Sequence, residues 1–212
     1  MPRERVSDRV YEELRSAIAS GELPDGSAHS IYGIAESRGI SRTPVRDAVL
    51  RLAQDGMVVI ARNQGFTVRG LGAEEIRELF DLRLLIEVPL AERAAEADRG
   101  RQDVERLRAS LDLLASARTP GDFLAIDHDV HRVVAELAGN SAAADVLDGI
   151  RARTESRGAN TLGRERSLAE VHAEHAAIAD AITARDPRGA ARAMRTHLES
   201  TRDLLLARLT SP

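Results

Sequence analysis

The sequence predicts a mainly α-helical protein with two domains. Apolar residues recur at helical spacing through most of the 212 residues, and aromatic residues are only 2% of them. The core must therefore be built from Leu, Ile, Val and Ala, which suits closely packed helices. Paired β-branched runs occur near residue 60. We expect a domain of three helices and a hairpin over residues 1–70, followed by an antiparallel bundle of six helices over residues 71–212.

The first two helices are short and amphipathic. An apolar stripe that ends at Gly21 predicts the first, and a second stripe before the turn at residues 39–40 predicts the next. These stripes consist of Val10, Leu14, Ala17 and Ile18, and of Ile31, Ile34 and Ala35. A helix, a short turn containing glycine and a further helix form the helix-turn-helix plan.

The third helix begins at Ser41 and ends at Gly56. Ser41 is a favoured N-cap residue, and a proline in the first turn, here Pro44, costs no hydrogen bond. Its buried stripe is expected to contain Val45, Val49, Leu52 and Ala53, with Arg42, Thr43 and Arg46 beside it in the first two turns. A helix that enters the DNA major groove uses such leading residues on bases and phosphates. A surface helix with solvated arginines is the alternative.

A β-hairpin is expected next. The β-branched runs 58–61 and 66–69 flank a four-residue loop that contains Gly65, as hairpins do. Together with the three helices, this hairpin makes a winged helix-turn-helix. The tip of the wing carries Arg62, Asn63 and Gln64.

Residues 10–15, 18–23 and 41–48 together resemble the DNA-binding domain of GntR-type bacterial transcription regulators. The resemblance implies that Arg42 and Arg46 contact bases or phosphates and that Ser41 and Thr43 contact the backbone. Gln64 and Gly65 would lie in or near the minor groove. Tyr32 departs from the pattern, because many relatives carry a basic residue there that contacts phosphate. The loop 23–30 departs from it as well.

Charge differs between the two domains. Residues 1–70 contain ten arginines and nine acidic residues, whereas the remainder contains twenty and twenty-five. A nearly neutral DNA-binding domain has only a local basic face, so we expect few phosphate contacts and a homodimer. The chain has no cysteine, hence no disulfide or thiolate metal site. We find no membrane-length apolar segment and no apolar N-terminal leader, so we expect a cytoplasmic bacterial protein.

Six helices are expected in the second domain, after a link at residues 69–72. Their predicted ranges are 73–98, 102–116, 120–138, 141–160, 167–184 and 187–209. Ser167 with Glu170 forms a capping box, and Asp186 before a proline is a second start signal. Gly139 and Asn140 should end one helix and cap the next. Pro89 should kink the first helix.

Four residues of this bundle are candidate metal ligands. Asp127 and His131 lie four positions apart, so they share a helix face. His175 and His197 lie on the fifth and sixth helices of the bundle. One carboxylate and three imidazoles suit a divalent ion such as Zn²⁺ and leave coordination positions open. The spacing is equally compatible with ordinary histidines in hydrogen bonds, which are the commoner case.

Residues 127–131, 138–140, 174–178, 185–186 and 193–198 resemble the FCD ligand-binding domain of the FadR subgroup of GntR regulators. The resemblance implies that Asp127, His131, His175 and His197 bind the metal, with Zn²⁺ favoured and Ni²⁺ or Mn²⁺ as alternatives. Six helices rather than seven resemble the VanR-type branch. His172 is a rival of His175, one turn earlier, whereas His128 points away from Asp127 around its helix.

Arg83 is the candidate effector-binding residue. A guanidinium facing the pocket would bind a carboxylate through two hydrogen bonds. A surface pair with Glu87, four positions later, is the alternative. These features predict a homodimeric regulator that responds to a small organic acid and binds a near-palindromic operator. Repression is the expected mode, as in most of the family.

Two other functions fit parts of the pattern. A metal-dependent hydrolase fused to a DNA-binding module would use the same Asp and His residues, but it needs a general base. Only Glu136 and Glu174 are available, and both look like ordinary residues of a helix surface. An architectural DNA-binding protein would not need the acidic bundle at all.

Overall fold

The computed structural model describes residues 5–61, 65–97, 100–155, 161 and 165–210. The described chain is mainly helical, as predicted, with one small antiparallel sheet. It forms two compact units: among the described residues, unit 1 comprises those up to Leu71 together with Thr154 and Glu155, and unit 2 comprises the others from Gly72 onwards. Each unit is described by itself.

Three helices and three strands are formed by the part of unit 1 that the structure describes. In chain order they are α1 (Val6–Ser20), β1 (Ala28–Ser30), α2 (Ile31–Ser37), α3 (Arg42–Gln54), β2 (Val58–Ala61) and β3 (Gly65–Val68). The predicted stripes meet in one core, where Leu14, Val49 and Leu52 are almost completely buried. Phe66 of β3 closes this core from the sheet side. Burying the back of α3 in this way leaves its charged leading end in solvent.

Strand β1 was not predicted. It pairs antiparallel with β3, which gives the sheet the order β1-β3-β2. Its three residues, Ala-His-Ser, carry no alternating apolar pattern that could predict a strand, and the strand forms because its backbone groups pair with β3. Ser30, at its end, caps α2 by accepting a hydrogen bond from the Gly33 N–H. Ser41 occupies the N-cap position of α3, yet its side chain makes no capping hydrogen bond.

The described residues of unit 2 form the six expected helices. They are α4 (Ala73–Glu96), α5 (Arg101–Ser116), α6 (Pro120–Leu137), α7 (Ser141–Glu155), α8 (Leu168–Thr183) and α9 (Pro187–Thr210). Helix α4 packs along α9, which also packs on α8. Helix α4 continues without interruption through Pro89. No helix in the described part of the chain is long and apolar enough to cross a membrane.

The predicted caps set the ends of these helices. Ser167 and Glu170 form the capping box at the start of α8. The Asp186 carboxylate accepts a hydrogen bond from the Gly189 N–H at the start of α9. Asn140 accepts one from the Ala143 N–H at the start of α7. Gly139, just before it, has a φ of 70°, which suits glycine after a helix end.

Candidate metal centre and nucleic-acid interface

The four predicted metal ligands converge inside unit 2. Asp127 and His131 come from α6, His175 from α8 and His197 from α9, and all four are buried. Each offers one ligand atom, and these atoms all lie within 4.8 Å of one another. The ring centroids of His175 and His197 are 4.4 Å apart. Three helices therefore deliver a compact set of one oxygen and three nitrogens.

The outer nitrogen of each histidine is held by an acceptor. Nδ1 of His175 donates to the Val171 carbonyl (2.8 Å), and Nδ1 of His197 donates to Glu174 (2.7 Å). Nδ1 of His131 contacts Glu87 in the same way. Metal-binding histidines are oriented by this kind of outer hydrogen bond. Because the protons sit on Nδ1, the neutral rings present their Nε2 lone pairs to the centre.

The Nε2 lone pairs that face the centre lie close to other hydrogen-bond acceptors. Nε2 of His175 lies 2.8 Å from Oδ1 of Asp127 and 3.2 Å from Nε2 of His131. Acceptors at such distances repel one another unless a proton or a cation lies between them. Three imidazoles and one carboxylate are also the donor types that Zn²⁺ prefers. The residues present therefore fit a divalent metal.

Burial and neighbouring charges favour the metal-binding protonation states. Burial lowers the pKa of His131 to about 3, although Glu87 acts in the opposite direction. Burial also holds the pKa of His197 well below its usual value. Burial alone would raise the pKa of Asp127, but its charged neighbours, first among them the Arg151 guanidinium, outweigh burial and hold that pKa well below normal. Neutral imidazoles beside an ionised carboxylate are the forms that bind a metal.

Several residues that support this site were not identified from the sequence. Arg151 donates to Oδ2 of Asp127 from α7. Glu174, expected on a helix surface, accepts from both His197 and Arg166. Glu87 holds His131 from α4, across 44 positions of sequence. No local spacing encodes such contacts, because each partner comes from another helix.

Arg83 faces the interior of unit 2. It is 5% exposed, and its Nε donates to Oε1 of Glu87 at 2.6 Å. The alternative of a pair with Glu87 was therefore right about the partner and wrong about the surface location. Burial alone would raise the pKa of Glu87, yet Arg83 and His131 keep it well below normal. Among the described residues, Nη2 of Arg83 has no hydrogen-bond partner although it is buried.

The two rival histidines lie outside the cluster. Nε2 of His128 bonds Oδ1 of Asp148 at 2.7 Å, on another side of α6. His172 is half-buried on α8 and is not among the residues that converge.

The leading end of α3 is the candidate nucleic-acid interface of unit 1. Arg42, Thr43 and Arg46 are exposed there and line a cleft of about 970 Å³ that also includes Ile60 of β2. The Arg42 guanidinium lies over the ring of Tyr32, 4.6 Å from its centroid. Within the described residues, Arg46 makes no hydrogen bond or ion pair.

The wing is described only in part. Gly65 begins β3 and pairs with both Ser30 and Ala61. A Cβ atom on Gly65 would lie 2.7 Å from the His29 carbonyl oxygen, so the strand pairing itself requires glycine. Gln64, the other predicted contact in the wing, lies outside the described residues.

Comparisons with known proteins agree with both units. The family "Bacterial regulatory proteins, gntR family" matches residues 6–68, and the FCD domain matches residues 78–200. A Streptomyces ambofaciens protein described as an HTH-type transcriptional regulator is 30% identical over 92% of this chain and 82% of its own. The Escherichia coli repressor RspR is 25% identical over 93% of this chain and 88% of its own.

Solved structures share the fold. A Rhodococcus sp. RHA1 protein described as a putative GntR regulator has a TM-score of 0.68 and 24% identity, covering 95% of this chain and 97% of its own. Escherichia coli McbR/YncC has a TM-score of 0.67 and 20% identity, covering 98% and 100%. The matched families and relatives are transcription regulators, so the alternative of a metal-dependent hydrolase is not supported. The chain therefore belongs to the GntR family of bacterial transcription regulators, as a DNA-binding, ligand-responsive member with a C-terminal FCD domain rather than an enzyme.

Proposed function

We propose that unit 2 senses a small carboxylate at a divalent metal ion and that unit 1 binds the operator. Asp127, His131, His175 and His197 would hold the ion, with Zn²⁺ preferred and Ni²⁺ or Mn²⁺ possible at the same donors. The observation that carries this proposal is the set of inward Nε2 atoms whose Nδ1 atoms are all anchored. Four protein ligands leave coordination positions at which an added anion can bind when the ion is five- or six-coordinate.

Arg83 supports a carboxylate as the added anion. Its Nε is occupied by Glu87, while its buried Nη2 has no partner among the described residues. A buried donor without an acceptor is costly, and a ligand oxygen would remove that cost. Arg83 is linked through Glu87 to the proposed ligand His131. This placement favours a small organic acid that binds the ion through one oxygen and Arg83 through another.

On the DNA side we propose a homodimer on a near-palindromic operator. Two copies of α3 would enter successive major grooves about one helical turn apart. Arg42 and Arg46 would contact bases or phosphates, Ser41 and Thr43 the backbone, and Gln64 with Gly65 the minor groove. The chain would act in the bacterial cytoplasm as a repressor of a metabolic operon, the mode that the name of RspR states for that relative. Its six-helix unit 2 agrees with the VanR-type branch.

Coupling requires that the effector bind two states of the protein unequally. An effector changes operator affinity only by its differential affinity for the DNA-binding and the released arrangements. A ligand that bridges α4, through Arg83, and the ion held by α6, α8 and α9 would fix the relation of these helices. A change in how these helices pack would be the route by which a ligand bound in unit 2 alters DNA binding by unit 1.

The test measures operator affinity with and without organic acids. The DNA is a duplex selected from a random pool by the metal-loaded protein, and the probes are carboxylic acids of two to six carbons. We expect one class of acid to shift the dissociation constant by about 5- to 150-fold. Chelation or Arg83→Ala should blunt that shift, whereas Arg93→Ala, exposed on the same helix, should leave it intact.

The double variant Arg83→Ala with His197→Ala checks that both residues act on one ligand. Its response to the acid should be no weaker than that of the more damaged single variant, because the effects of substituting two residues that bind the same ligand are not additive. A DNA affinity indifferent to every acid, with the metal bound, would contradict the sensing proposal and leave the metal a structural role.

A further inference from the structure

Tyr32 and Arg42 form a contact across the helix-turn-helix. Tyr32 is the second residue of α2, and Arg42 is the first residue of α3. The guanidinium carbon lies 4.6 Å from the centroid of the Tyr32 ring, within the range of a cation–π interaction. Tyr32 is 48% exposed, so the pair lies at the surface of unit 1.

The ring is itself held from its other end. The Tyr32 hydroxyl donates to Oε1 of Glu36 at 3.2 Å, one turn further along α2. The Arg42 side chain makes no hydrogen bond or ion pair with the described residues, so its N–H groups remain available. Those are the groups that arginine uses on guanine or on phosphate.

Holding Arg42 before DNA arrives reduces the cost of binding. A free arginine side chain loses much rotamer freedom when it is fixed against a base. Arg46, on the same leading end, has no such partner among the described residues. The contact with Tyr32 therefore restricts the Arg42 side chain before DNA binds, and no comparable contact among the described residues restricts Arg46.

We propose that Tyr32 is a positioning residue for Arg42, which it orders for contact with the operator. The inference rests on the proposed DNA role of Arg42. Tyr32 itself need not touch DNA.

The test uses a duplex selected from a random pool by the wild-type protein, with full-length variants. Tyr32→Ala should weaken binding about two- to fivefold, the scale of an exposed cation–π contact. Tyr32→Phe keeps the ring and should retain wild-type affinity, while Tyr32→Leu keeps apolar volume and should behave as Tyr32→Ala. With Arg42→Ala already present, Tyr32→Ala should cause no further loss. Thermal unfolding of each variant verifies that unit 1 stays folded.

Discrimination between bases provides the readout that a merely structural role would not change. The base-pair position at which Arg42→Ala relaxes selection should also relax in Tyr32→Ala, while positions that depend on Arg46 should not. Equal losses in Tyr32→Phe and Tyr32→Ala would overturn the inference by showing that the hydroxyl, and not the ring face against Arg42, carries the effect. Additive losses of operator affinity in the double variant would also overturn it. So would a wild-type affinity in Tyr32→Ala together with a reduced affinity in Arg42→Ala. No loss in Arg42→Ala would instead remove the DNA role of Arg42 on which the inference rests.

Discussion

The arginines of unit 1 differ in what they touch. On α1, Arg15 pairs with Glu12, and Arg38 reaches back to Glu13. Arg51, at the far end of α3, pairs with Asp8. Arg42 and Arg46 form no ion pair within the described chain. The nearly neutral count of residues 1–70 therefore conceals a basic leading end on α3, because four other arginines, Arg9, Arg15, Arg38 and Arg51, are paired with acidic residues.

Arg46→Ala should weaken operator binding by about 1–3 kcal/mol if the guanidinium contacts a base. Selection between operator variants should relax at one position. Titrations against the operator and a random duplex separate the possibilities, and Arg15→Ala serves as the matched control because Arg15 is already ion-paired. An equal loss on both duplexes would mean that Arg46 touches phosphate only, and no loss would exclude this helix from the interface.

Individual histidines can be tested in the same way at the metal centre. His131→Ala or His197→Ala should sharply lower the divalent metal bound to purified protein, measured by elemental analysis. Thermal stability should fall with the metal, since an ion that binds only the native fold stabilises it. His172→Ala is the control and should matter less, because its ring lies outside the cluster. Unchanged metal in both variants, or none in the wild-type protein, would contradict the assignment.

At the scale of elements, the wing depends on the close approach of two strands. Gly65 lies where β3 pairs with β1 and with β2. An added Cβ would meet a backbone oxygen, which cannot move aside as a flexible side chain can. The sequence places Gly65 in the hairpin loop and near the DNA. The pairing of the strands also requires a glycine at this position.

Gly65→Ala should lower the melting temperature of the protein and speed hydrogen exchange in the sheet, because β1 and β3 must move apart. Gly33→Ala is the matched control in unit 1. Its added Cβ would meet only an ordinary contact of 3.7 Å, and replacing glycine within a helix stabilises by about 1 kcal/mol. If Gly65→Ala weakened DNA binding while stability and exchange stayed normal, the glycine would serve DNA contact rather than the sheet.

At the scale of the whole molecule, the buried charges of unit 2 link its stability to pH. Two of its histidines have pKa values lowered by burial, that of His131 to about 3. The unfolded chain takes up protons on these rings near its ordinary pKa of about 6.5, whereas the folded chain does not. Stability is therefore complete above about pH 6.5 and is lost progressively as the pH falls towards 3.

The metal-free protein should show this loss as a falling free energy of unfolding in denaturant titrations between pH 7 and 5. Each histidine contributes a slope of about 1 kcal/mol per pH unit. His131→Gln should remove one proton from the difference and flatten the curve, and His172→Gln should not. A profile that is flat down to pH 5 would show that the folded chain accepts protons at this cluster.

Local signals in the sequence were sufficient to predict most of the fold. Apolar periodicity, the capping box at Ser167 and the turn at Gly139 act within a few residues, so all six helices of unit 2 were predicted within a few positions over the described residues. Strand β1 was missed because its only signal is its pairing with a strand almost forty positions away. The candidate ligands were found from the pair at Asp127 and His131 and from a resemblance to a family.

By itself, the sequence determined the mainly helical class, the helix-turn-helix with its basic leading end and the donor types for a metal. These depend on short-range periodicity, caps and residue chemistry. Only the tertiary structure decided which groups surround the donors: Glu87 behind His131, Arg151 on Asp127 and Glu174 behind His197. The same holds for the ring of Tyr32 beneath Arg42. Such partners come from different helices, and their contacts arise when packing brings those helices together.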